Sequence, residues 1–154
     1  MSATIRERIN AGLKEAMKSQ DKARISTLRL INAAIKDRII QNRGDGKGEE
    51  LGDAEVLDIL ARMIKQREES RQLYEQAGRV ELAESEGEEI GIIREFMPRQ
   101  LSEQEIREAI AAVIGELGAT GLKDMGRVMA TLKERHAGAL DVAKAGAIAK
   151  EMLK

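Results

Sequence analysis

The amino-acid sequence predicts an all-α protein, with an N-terminal domain of about four helices followed by a small bundle of three. Three observations support this prediction. Aromatic residues are nearly absent, since Tyr74 and Phe96 are the only two, and a core of Leu, Ile, Ala and Met suits helices better than strands. Seven segments repeat apolar residues at helical spacing, and none alternates as a strand does. The single proline, Pro98, lies between two of these segments.

The first two helices are predicted to form an antiparallel hairpin. Thr4 and Glu7 have the spacing of a capping box, and Asp21 can cap the second helix after a break at Gln20. A link this short favours antiparallel neighbours. The predicted buried residues are Ile5, Ile9, Leu13 and Met17 in the first helix, and Ile25, Leu28, Ile31 (or Asn32), Ile35 and Ile39 in the second.

A glycine-rich segment separates this hairpin from the third and fourth helices. Residues 42–52 include three closely spaced glycines, which disfavour a helix, so a flexible loop is predicted there. Gly52 is the expected cap of helix three, which ends near Ala77, and helix four spans roughly residues 80–96. Their predicted buried residues are Val56, Leu60, Met63 and Ile64 in helix three, and Ile90, Ile93 and Met97 in helix four.

The segment around Pro98 is predicted to join two helical domains. Proline lacks a backbone N–H and disfavours the helical conformation of the preceding residue, so a helix should end there. Ser102 and Glu105 then form a capping box, with Leu101 and Ile106 placed as a hydrophobic staple. We therefore predict an N-terminal domain of residues 1–97 and a C-terminal domain of residues 98–154, with Pro98 as the hinge.

Three helices are predicted after this joint. Helix five runs from Glu103 to about Leu117, helix six covers about residues 122–136, and helix seven covers about residues 140–153. Gly118 and Gly138 are placed to end the first two of them. The predicted buried residues are Ile106, Ile110, Val113, Ile114 and Leu117 in helix five, Met125, Val128, Met129 and Leu132 in helix six, and Val142, Ala145, Ile148, Ala149 and Met152 in helix seven.

The composition excludes several classes of protein and site. The chain has no cysteine, which rules out disulfides, thiolate metal sites and a cysteine nucleophile. No apolar run approaches the ~20 residues of a membrane span, and the N-terminus lacks the pattern of a signal peptide. We therefore expect a cytoplasmic protein with no membrane partner, no cofactor and no metal.

The charges are distributed unevenly along the chain, although the net charge is only −1. Residues 1–47 contain 11 Lys and Arg against 5 Asp and Glu, residues 48–97 contain 6 against 14, and residues 98–154 contain 9 against 8. We expect the basic hairpin to attract the acidic third and fourth helices within the fold. Binding of a polyanion by the hairpin is the alternative.

Three further patterns are interpreted as structural rather than catalytic. The Gly44–Gly48 stretch lacks the spacing and the flanking strand of a phosphate loop, so it is interpreted as a solvated linker. The only histidine, His136, falls near a helix C-terminus, where it can interact with the helix dipole. The glutamates at positions 84, 86, 88 and 89 are interpreted as crowding on an exposed helix rather than a paired-carboxylate site. No catalytic residue is predicted.

Basic residues of the last two helices are the candidate functional residues. Such residues bind phosphates without sequence preference, and duplex RNA is recognised mainly by shape and backbone. A solvated helix face is the alternative for the same residues. Gly126, between two of them, indicates either close packing against a neighbouring helix, which we expect, or close approach of a ligand backbone. The candidate nucleic-acid-binding residues are Lys123, Arg127, Lys133, Arg135, Lys144 and Lys150.

Two segments are too particular for a generic helical protein: Met97-Pro98-x-Gln100-Leu101-Ser102 and Asp124-Met125-Gly126-x-Val128-Met129. With them, the chain resembles the GatB/YqeY-domain proteins of the YqeY-like family over nearly its whole length. The opening hairpin and the middle of the chain also fit that family. The matching residues there are Lys14-x-x-Met17-Lys18-x-x-Asp21-Lys22-x-Arg24, Leu28-Arg29, the stretch from Ile64 to Ser70, and Ala77-Gly78-Arg79.

The resemblance implies an all-helical fold whose last part is similar to the tail of the aspartyl/glutamyl-tRNA amidotransferase B subunit. That tail helps to hold tRNA, while catalysis occurs in other domains of the amidotransferase. The shared residues would be the 126–129 segment, Gly138 and the closing 151–153 segment. One departure is the turn from His136 to Asp141, where the family often has Gly-Arg-Ala-Asp-Gly.

The resulting hypothesis is that this is a non-catalytic protein whose C-terminal bundle binds tRNA or a tRNA-handling protein complex. The alternative is a protein–protein interaction module that does not touch RNA. A weaker alternative, implied by the family alone, is an accessory to a carbon–nitrogen ligase with glutamine as amido-N-donor.

Overall fold

The structure is a computed structural model that describes residues 3–48 and 50–154. In those residues it contains α-helices and one short 3-10 helix, and no strand, which confirms the all-α prediction. The helices are α1 Ile5–Ser19, α2 Lys22–Gly44, α3 Asp53–Gln76, α4 Val80–Arg94, α5 Glu103–Leu117, α6 Met125–Arg135 and α7 Val142–Met152, with the 3-10 helix at Leu122–Asp124. None of them is long and apolar enough to cross a membrane.

The chain divides into two compact units, residues 1–97 and residues 98–154, each with a hydrophobic core of its own. In the first unit, α1 packs on α2, and α3 packs along α4. Aliphatic side chains at helical spacing fill its core, as expected for faces with this periodicity. The fully buried large side chains of this unit are Ile9, Leu28, Ile31, Ile35, Val56, Leu60 and Ile93.

The end of α4 is held by contacts from α1 and α2. The Phe96 ring lies against Gly12, where an added Cβ would be only 3.3 Å from Phe96 Cζ. A glycine at this position therefore allows α1 to approach the ring closely. The Arg8 guanidinium lies 5.8 Å from the ring centroid and donates to the Glu95 carbonyl at 3.1 Å. Arg24 forms an ion pair with the Glu95 carboxylate.

Side-chain hydrogen bonds tie the start of α3 to the hairpin. The Ile5 N–H donates to Asp53 Oδ1 at 3.1 Å, and Asn42 Nδ2 donates to Glu55 Oε2 at 3.0 Å. Arg38 pairs with Asp58 at 3.0 Å. The expected attraction between the basic hairpin and the acidic helices is therefore present at Arg24 and Arg38.

Two expectations for the hairpin are wrong. Helix α2 does not give way to a loop at residue 42 but continues to Gly44, because Asn42 is buried and bonded to Glu55. Met17 is 50% exposed instead of lining the core. Its neighbour Ala16 occupies the buried position, and the chain reverses only three residues later.

Only two of the four clustered glutamates of α4 lie on its exposed face, although all four were expected there. Those at positions 84 and 88 are exposed, whereas Glu86 and Glu89 are half-buried. Glu89 Oε2 accepts a hydrogen bond from Arg67 Nε at 3.1 Å. Burial raises the pKa of Glu86, the Glu89 carboxylate raises it further, and Arg67 opposes both. These two glutamates thus belong to the contact between α3 and α4.

In the second unit, α5, α6 and α7 pack together around one core. The predicted capping box is formed: the Glu105 N–H donates to Ser102 Oγ at 3.2 Å, and the Ser102 N–H donates to Glu105 Oε1 at 3.0 Å. The segment before the cap is tied to the α6–α7 turn, because the Leu101 N–H donates to the Ala139 carbonyl at 2.8 Å. The core residues are Ile106, Ile110, Val113, Val128, Leu132, Ala145, Ile148, Ala149 and Leu153.

The start of α6 and the packing of α7 differ from the prediction. A 3-10 helix precedes α6, which begins at Met125 rather than near residue 122. In α7, Val142 and Met152 are 46% and 38% exposed, although both were predicted to be buried. Leu153, directly after α7, is buried instead of Met152. Both exposed residues lie at helix ends, where fewer neighbours are available to cover an apolar side chain.

Candidate nucleic-acid interface

Positive charge in the second unit is concentrated on α6, α7 and the segment that leads into α6. Residues 118–154 contain seven Lys and Arg against four Asp and Glu, whereas residues 98–117 contain two against four. The α6 and α7 part of the bundle therefore carries a net positive charge, and the α5 part carries a net negative charge. An excess of Lys and Arg of this kind is expected of a phosphate-binding surface.

Asp124 organises the start of this basic region. Its Oδ2 accepts a hydrogen bond from the Thr120 N–H at 2.9 Å, and its Oδ1 accepts one from Arg127 Nη2 at 2.7 Å. These bonds, first that of Thr120 and then that of Arg127, hold the pKa of Asp124 below its usual range. The carboxylate is therefore ionised at neutral pH, and it fixes both the turn before α6 and the guanidinium one turn later.

Arg127 is held through one nitrogen of its guanidinium but still reaches solvent. Its side chain is 56% exposed, whereas that of Asp124 is 11% exposed. An arginine kept in one orientation loses less conformational freedom when it binds a phosphate. The guanidinium also retains N–H donors that do not face Asp124, since it carries five in all.

Gly126 does not serve helix packing, and the expectation that it does is wrong. A Cβ added to Gly126 would meet nothing within 4 Å, and the residue is exposed. The space beside the backbone of the first turn of α6 is open, next to Lys123 and Arg127. A glycine there leaves room for another molecule to approach this backbone closely.

The candidate lysines carry uncompensated charge. Lys123, Lys133, Lys144 and Lys150 are exposed, and none forms an ion pair with any residue that the structure describes. The two arginines differ from the lysines, because Arg127 pairs with Asp124 and Arg135 pairs with Glu116 of α5. The charges of these two arginines are therefore partly offset.

The six candidates do not form a single row. Arg127 and Lys133 are six residues apart on α6, which places them about 120° apart around a helix of 3.6 residues per turn. The same spacing separates Lys144 and Lys150 on α7. Lys133 and Arg135 are two residues apart and do not face each other. The most compact group along the chain lies at the start of α6, where five residues contain Lys123, Gly126 and Arg127.

Sequence reasoning missed Asp124 as a site residue, although it noted the motif that contains it. The available signal was the spacing of Asp124 and Arg127, three residues apart, which places the two side chains on one helix face. Asp141 was missed as well: its Oδ1 accepts from the Lys144 N–H at 3.1 Å and caps α7. Asp124 orients the Arg127 guanidinium, whereas Asp141 fixes only the backbone at the start of α7.

The described residues contain no group of three or more His, Cys, Asp or Glu side chains that could hold a metal ion. His136 lies at the C-cap of α6, where the sequence analysis expected it. Its backbone N–H donates to the Leu132 carbonyl at 2.9 Å.

Comparison with known proteins gives consistent matches. Residues 6–153 match the family described as YqeY-like protein. Three similar curated proteins are each named altered inheritance of mitochondria protein 41, mitochondrial. That of Lachancea thermotolerans is 31% identical over 107 residues, covering 68% of this chain and 55% of the relative. That of Clavispora lusitaniae is 30% identical over 113 residues, covering 72% and 63%. That of Kluyveromyces lactis is 28% identical over 107 residues, covering 68% and 56%.

The matched region thus spans only a little over half of the length of these relatives, whereas the family match extends over nearly all of this chain. The family match covers all but the first five residues of the first unit and all but the last residue of the second. The chain belongs to the YqeY-like family.

Proposed function

We propose that this chain is a non-catalytic tRNA-binding protein, and that the basic surface of α6 and α7 contacts the phosphate backbone of the RNA. The observation that carries the proposal is the arrangement at the start of α6. There Arg127 is oriented by a buried aspartate beside an open glycine, and Lys123 next to it has no ion-pair partner among the described residues.

Physical chemistry favours a structured RNA over a single strand as the ligand. Single-strand binding depends on aromatic side chains that stack on bases, and the only two aromatic residues of the chain, Tyr74 and Phe96, lie in the first unit. Duplex RNA needs no stacking, because it is recognised through its shape, its phosphates and its 2′-hydroxyls. Lysines without ion-pair partners are free to release counterions from such a backbone.

We further propose that the second unit is related to the tail of the aspartyl/glutamyl-tRNA amidotransferase B subunit. The supporting residues are the 126–129 segment and Gly138, which lies in the α6–α7 turn at φ 76°. The proposed location is cytoplasmic. The fungal relatives are named as mitochondrial proteins, and since both compartments contain tRNA, the proposed ligand suits either.

A protein-binding role for the second unit is the alternative, and one observation favours it. Leu122, Val142 and Met152 are 48%, 46% and 38% exposed, which leaves apolar surface in the same unit as the lysines. A partner there could be a tRNA-handling protein rather than tRNA itself. An accessory role for a glutamine-dependent carbon–nitrogen ligase is a weaker alternative that only the family relationship supports.

The test is tRNA affinity as a function of salt concentration. Lys123→Glu combined with Lys144→Glu should weaken binding of all tRNA species to a similar extent. It should also flatten the dependence of log affinity on log salt by about one unit per lost phosphate contact. These two lysines are preferred to Arg127, because reversing Arg127 would place a second carboxylate beside the buried Asp124.

The matched control is Lys65→Glu with Arg79→Glu, two exposed residues of the first unit, which changes the net charge by the same amount. This control should keep the wild-type affinity and slope. Equal losses in the two double variants would show a general charge effect and no site at α6 and α7. Absence of wild-type binding at low salt would refute the RNA proposal and leave the protein-binding alternative.

A further inference from the structure

A second candidate surface lies in the first unit, on the hairpin of α1 and α2. It is a groove of about 730 Å³ between the last turn of α1 and the first turns of α2. Its apolar lining comes from Met17, Ile25 and Leu30, and its polar lining includes Lys22, Ser26 and Arg29. Met17 and Leu30 are 50% and 44% exposed, so apolar surface in this groove faces solvent.

The groove lies on the outer face of α2, whose opposite face is in the core. Positions 22, 25, 26, 29 and 30 recur at helical spacing and form one continuous stripe. Leu28, Ile31 and Ile35, on the other side of α2, are fully buried. Ile25 is partly buried and packs against the edge of the core, whereas Leu30 and Met17 of α1 remain largely exposed in the groove. Helix α2 therefore presents apolar surface to solvent in addition to its core face.

The charged side chains at this groove are all positive. Lys22 and Arg29 line it, and neither forms an ion pair with a described residue, whereas Arg24 and Arg38 of the same helix pair with Glu95 and Asp58. The nearest carboxylate along the chain, that of Asp21, accepts the Arg24 N–H at 3.2 Å as the cap of α2. Two cations without an ion-pair partner among the described residues thus flank the apolar centre of the groove.

The turn that closes one end of the groove has a defined conformation. Gln20 adopts a left-handed conformation with φ 58°, and among the described residues it is the only non-glycine residue with a positive φ. The Asp21 N–H donates to the Ala16 carbonyl at 3.0 Å. This hydrogen bond joins the end of α1 to the start of α2, so a ligand meets a groove that is already formed, which lowers the entropy cost of binding.

We propose that this groove binds an acidic amphipathic helix of a partner protein. A groove between two helices accepts the ridge of a third, which would place apolar residues at i, i+3 or i+4, and i+7 against Met17, Ile25 and Leu30. Acidic residues beside that ridge would pair with Lys22 and Arg29. The unbranched, flexible side chain of Met17 can adapt to apolar residues of different shape.

Two other occupants fit these observations less well. An RNA backbone would leave the apolar centre of the groove uncovered, and no aromatic residue lines it for base stacking. Helices that lie on membranes carry Trp, Phe and Leu along an apolar face, whereas the groove has only three apolar residues and no aromatic one. A shallow apolar strip with cations along it is complementary to an acidic helix.

The experiment is selection of binding peptides with the full chain as bait. The library displays random peptides long enough for about four helical turns on phage. We expect the selected sequences to combine Leu, Ile or Met at helical spacing with Asp or Glu. A selected peptide, fluorescently labelled, should bind wild type in a salt-sensitive way and should lose at least about tenfold in affinity for Leu30→Asp.

Two further variants make the test specific. Arg29→Glu, which leaves the apolar lining intact, should also weaken the peptide, by about tenfold or less. Leu73→Asp is the matched control, because Leu73 is 65% exposed on α3 and does not line the groove. It should bind the peptide like wild type. Thermal melts of the three variants confirm that each is folded.

Several results would overturn the proposal. Selected peptides that are basic, or that bind Leu30→Asp and Arg29→Glu like wild type, would show that the groove is not the site. Selection of no peptide at all would count equally against it. Retention of wild type on phosphatidylserine vesicles, lost in Leu30→Asp, would assign the groove to an anionic membrane surface if no acidic peptide is selected.

Discussion

Asp124 is the residue on which the geometry of the proposed RNA site depends most. It bonds a backbone N–H on one side and a guanidinium on the other, so one carboxylate shapes the turn and aims the cation. Its role is positioning, because its side chain is 11% exposed and faces inward to its partners. The sequence motif identified the segment that contains Asp124. It did not show that Asp124 orients Arg127, because that role depends on the turn between Thr120 and Asp124, which helix propensity does not predict.

The Gly126→Ala variant should change the stability of the chain and its affinity for tRNA in opposite directions. Apart from its chain neighbours and the backbone of its own helix, no atom lies within 4 Å of the added Cβ, so the change should stabilise the chain by about 0.5 kcal/mol through helix propensity. If an RNA backbone approaches Gly126 closely, the same change should weaken tRNA binding. The measurements are chemical denaturation and a tRNA titration at one salt concentration.

Gly115→Ala is the matched control for this prediction. Gly115 lies in α5, and a Cβ there also meets nothing within 4 Å. This variant should gain similar stability and keep the wild-type affinity for tRNA. Loss of stability in Gly126→Ala would contradict the open space that the structure shows, and unchanged tRNA affinity would remove Gly126 from the contact surface.

At the scale of single residues, sequence periodicity predicts most buried positions, and its clearest failures lie in the first or last turn of a helix. Ile9, Leu60 and Ile110 are fully buried as expected, while Met17 and Val142 are exposed. Each of these five residues belongs to the apolar pattern that repeats at helical spacing along its own helix. The difference is whether a neighbouring element extends far enough to cover the side chain, and spacing within one helix contains no information on that.

At the scale of elements, the start of α5 is the best-defined helix end in the second unit. Arg99, the Ser102 N–H and the Ser102 hydroxyl together lower the pKa of Glu105 to about 2, with the bond from Arg99 the largest cause. The pKa is lower in the folded chain than its ordinary value of 4.5. Ionised Glu105 therefore stabilises the fold above that value, and this contribution is lost as the pH falls toward 2.

Glu105→Gln should consequently lower the melting temperature most at neutral pH. The difference from wild type should shrink below pH 4.5 and vanish near pH 2. Glu103→Gln, in the same first turn but outside the capping box, is the control and should have a smaller effect at neutral pH. A difference between wild type and Glu105→Gln that does not change with pH would mean that the Glu105 carboxylate does not act through its charge.

Helix starts with a local cap could be predicted from sequence, and boundaries set by distant or unusual contacts could not. The caps that were expected and are observed are Thr4, Asp21, Gly52 and Ser102. The end of α2 depends on the bond from Asn42 to Glu55, thirteen residues away. The delayed start of α6 depends on the bond from Thr120 to Asp124, which a pattern of apolar residues does not reveal.

At the scale of the whole molecule, each unit has its own core and its own distribution of charge. We predict that residues 98–154, produced alone, give a helical circular dichroism spectrum and a cooperative melt. Their core is closed by residues of α5, α6 and α7, and the capping box is complete within them. Stability should be modest, because a domain of this size buries only about 60% of its chain surface.

A disordered fragment would show that the second unit depends on residues 1–97 for its stability. The residues of the first unit, produced alone, are the matched comparison and should also melt cooperatively, since their core comprises only residues of α1 to α4 and of the short segments that flank them. The family and the all-α architecture could be predicted for the whole molecule from motifs and periodicity. The groove on the hairpin could not, because it results from side chains that the core leaves uncovered.

The most direct test of the proposed function is a map of tRNA contacts on the intact chain by amide NMR. The isotope-labelled full chain is titrated with tRNA at low salt, and the backbone resonances are followed. We predict shift changes at residues 120–127 and near Lys144 and Lys150, and their reduction in the Lys123→Glu, Lys144→Glu variant. Changes confined to α5 or to residues 1–97, or no changes at all, would contradict the proposal that α6 and α7 bind tRNA.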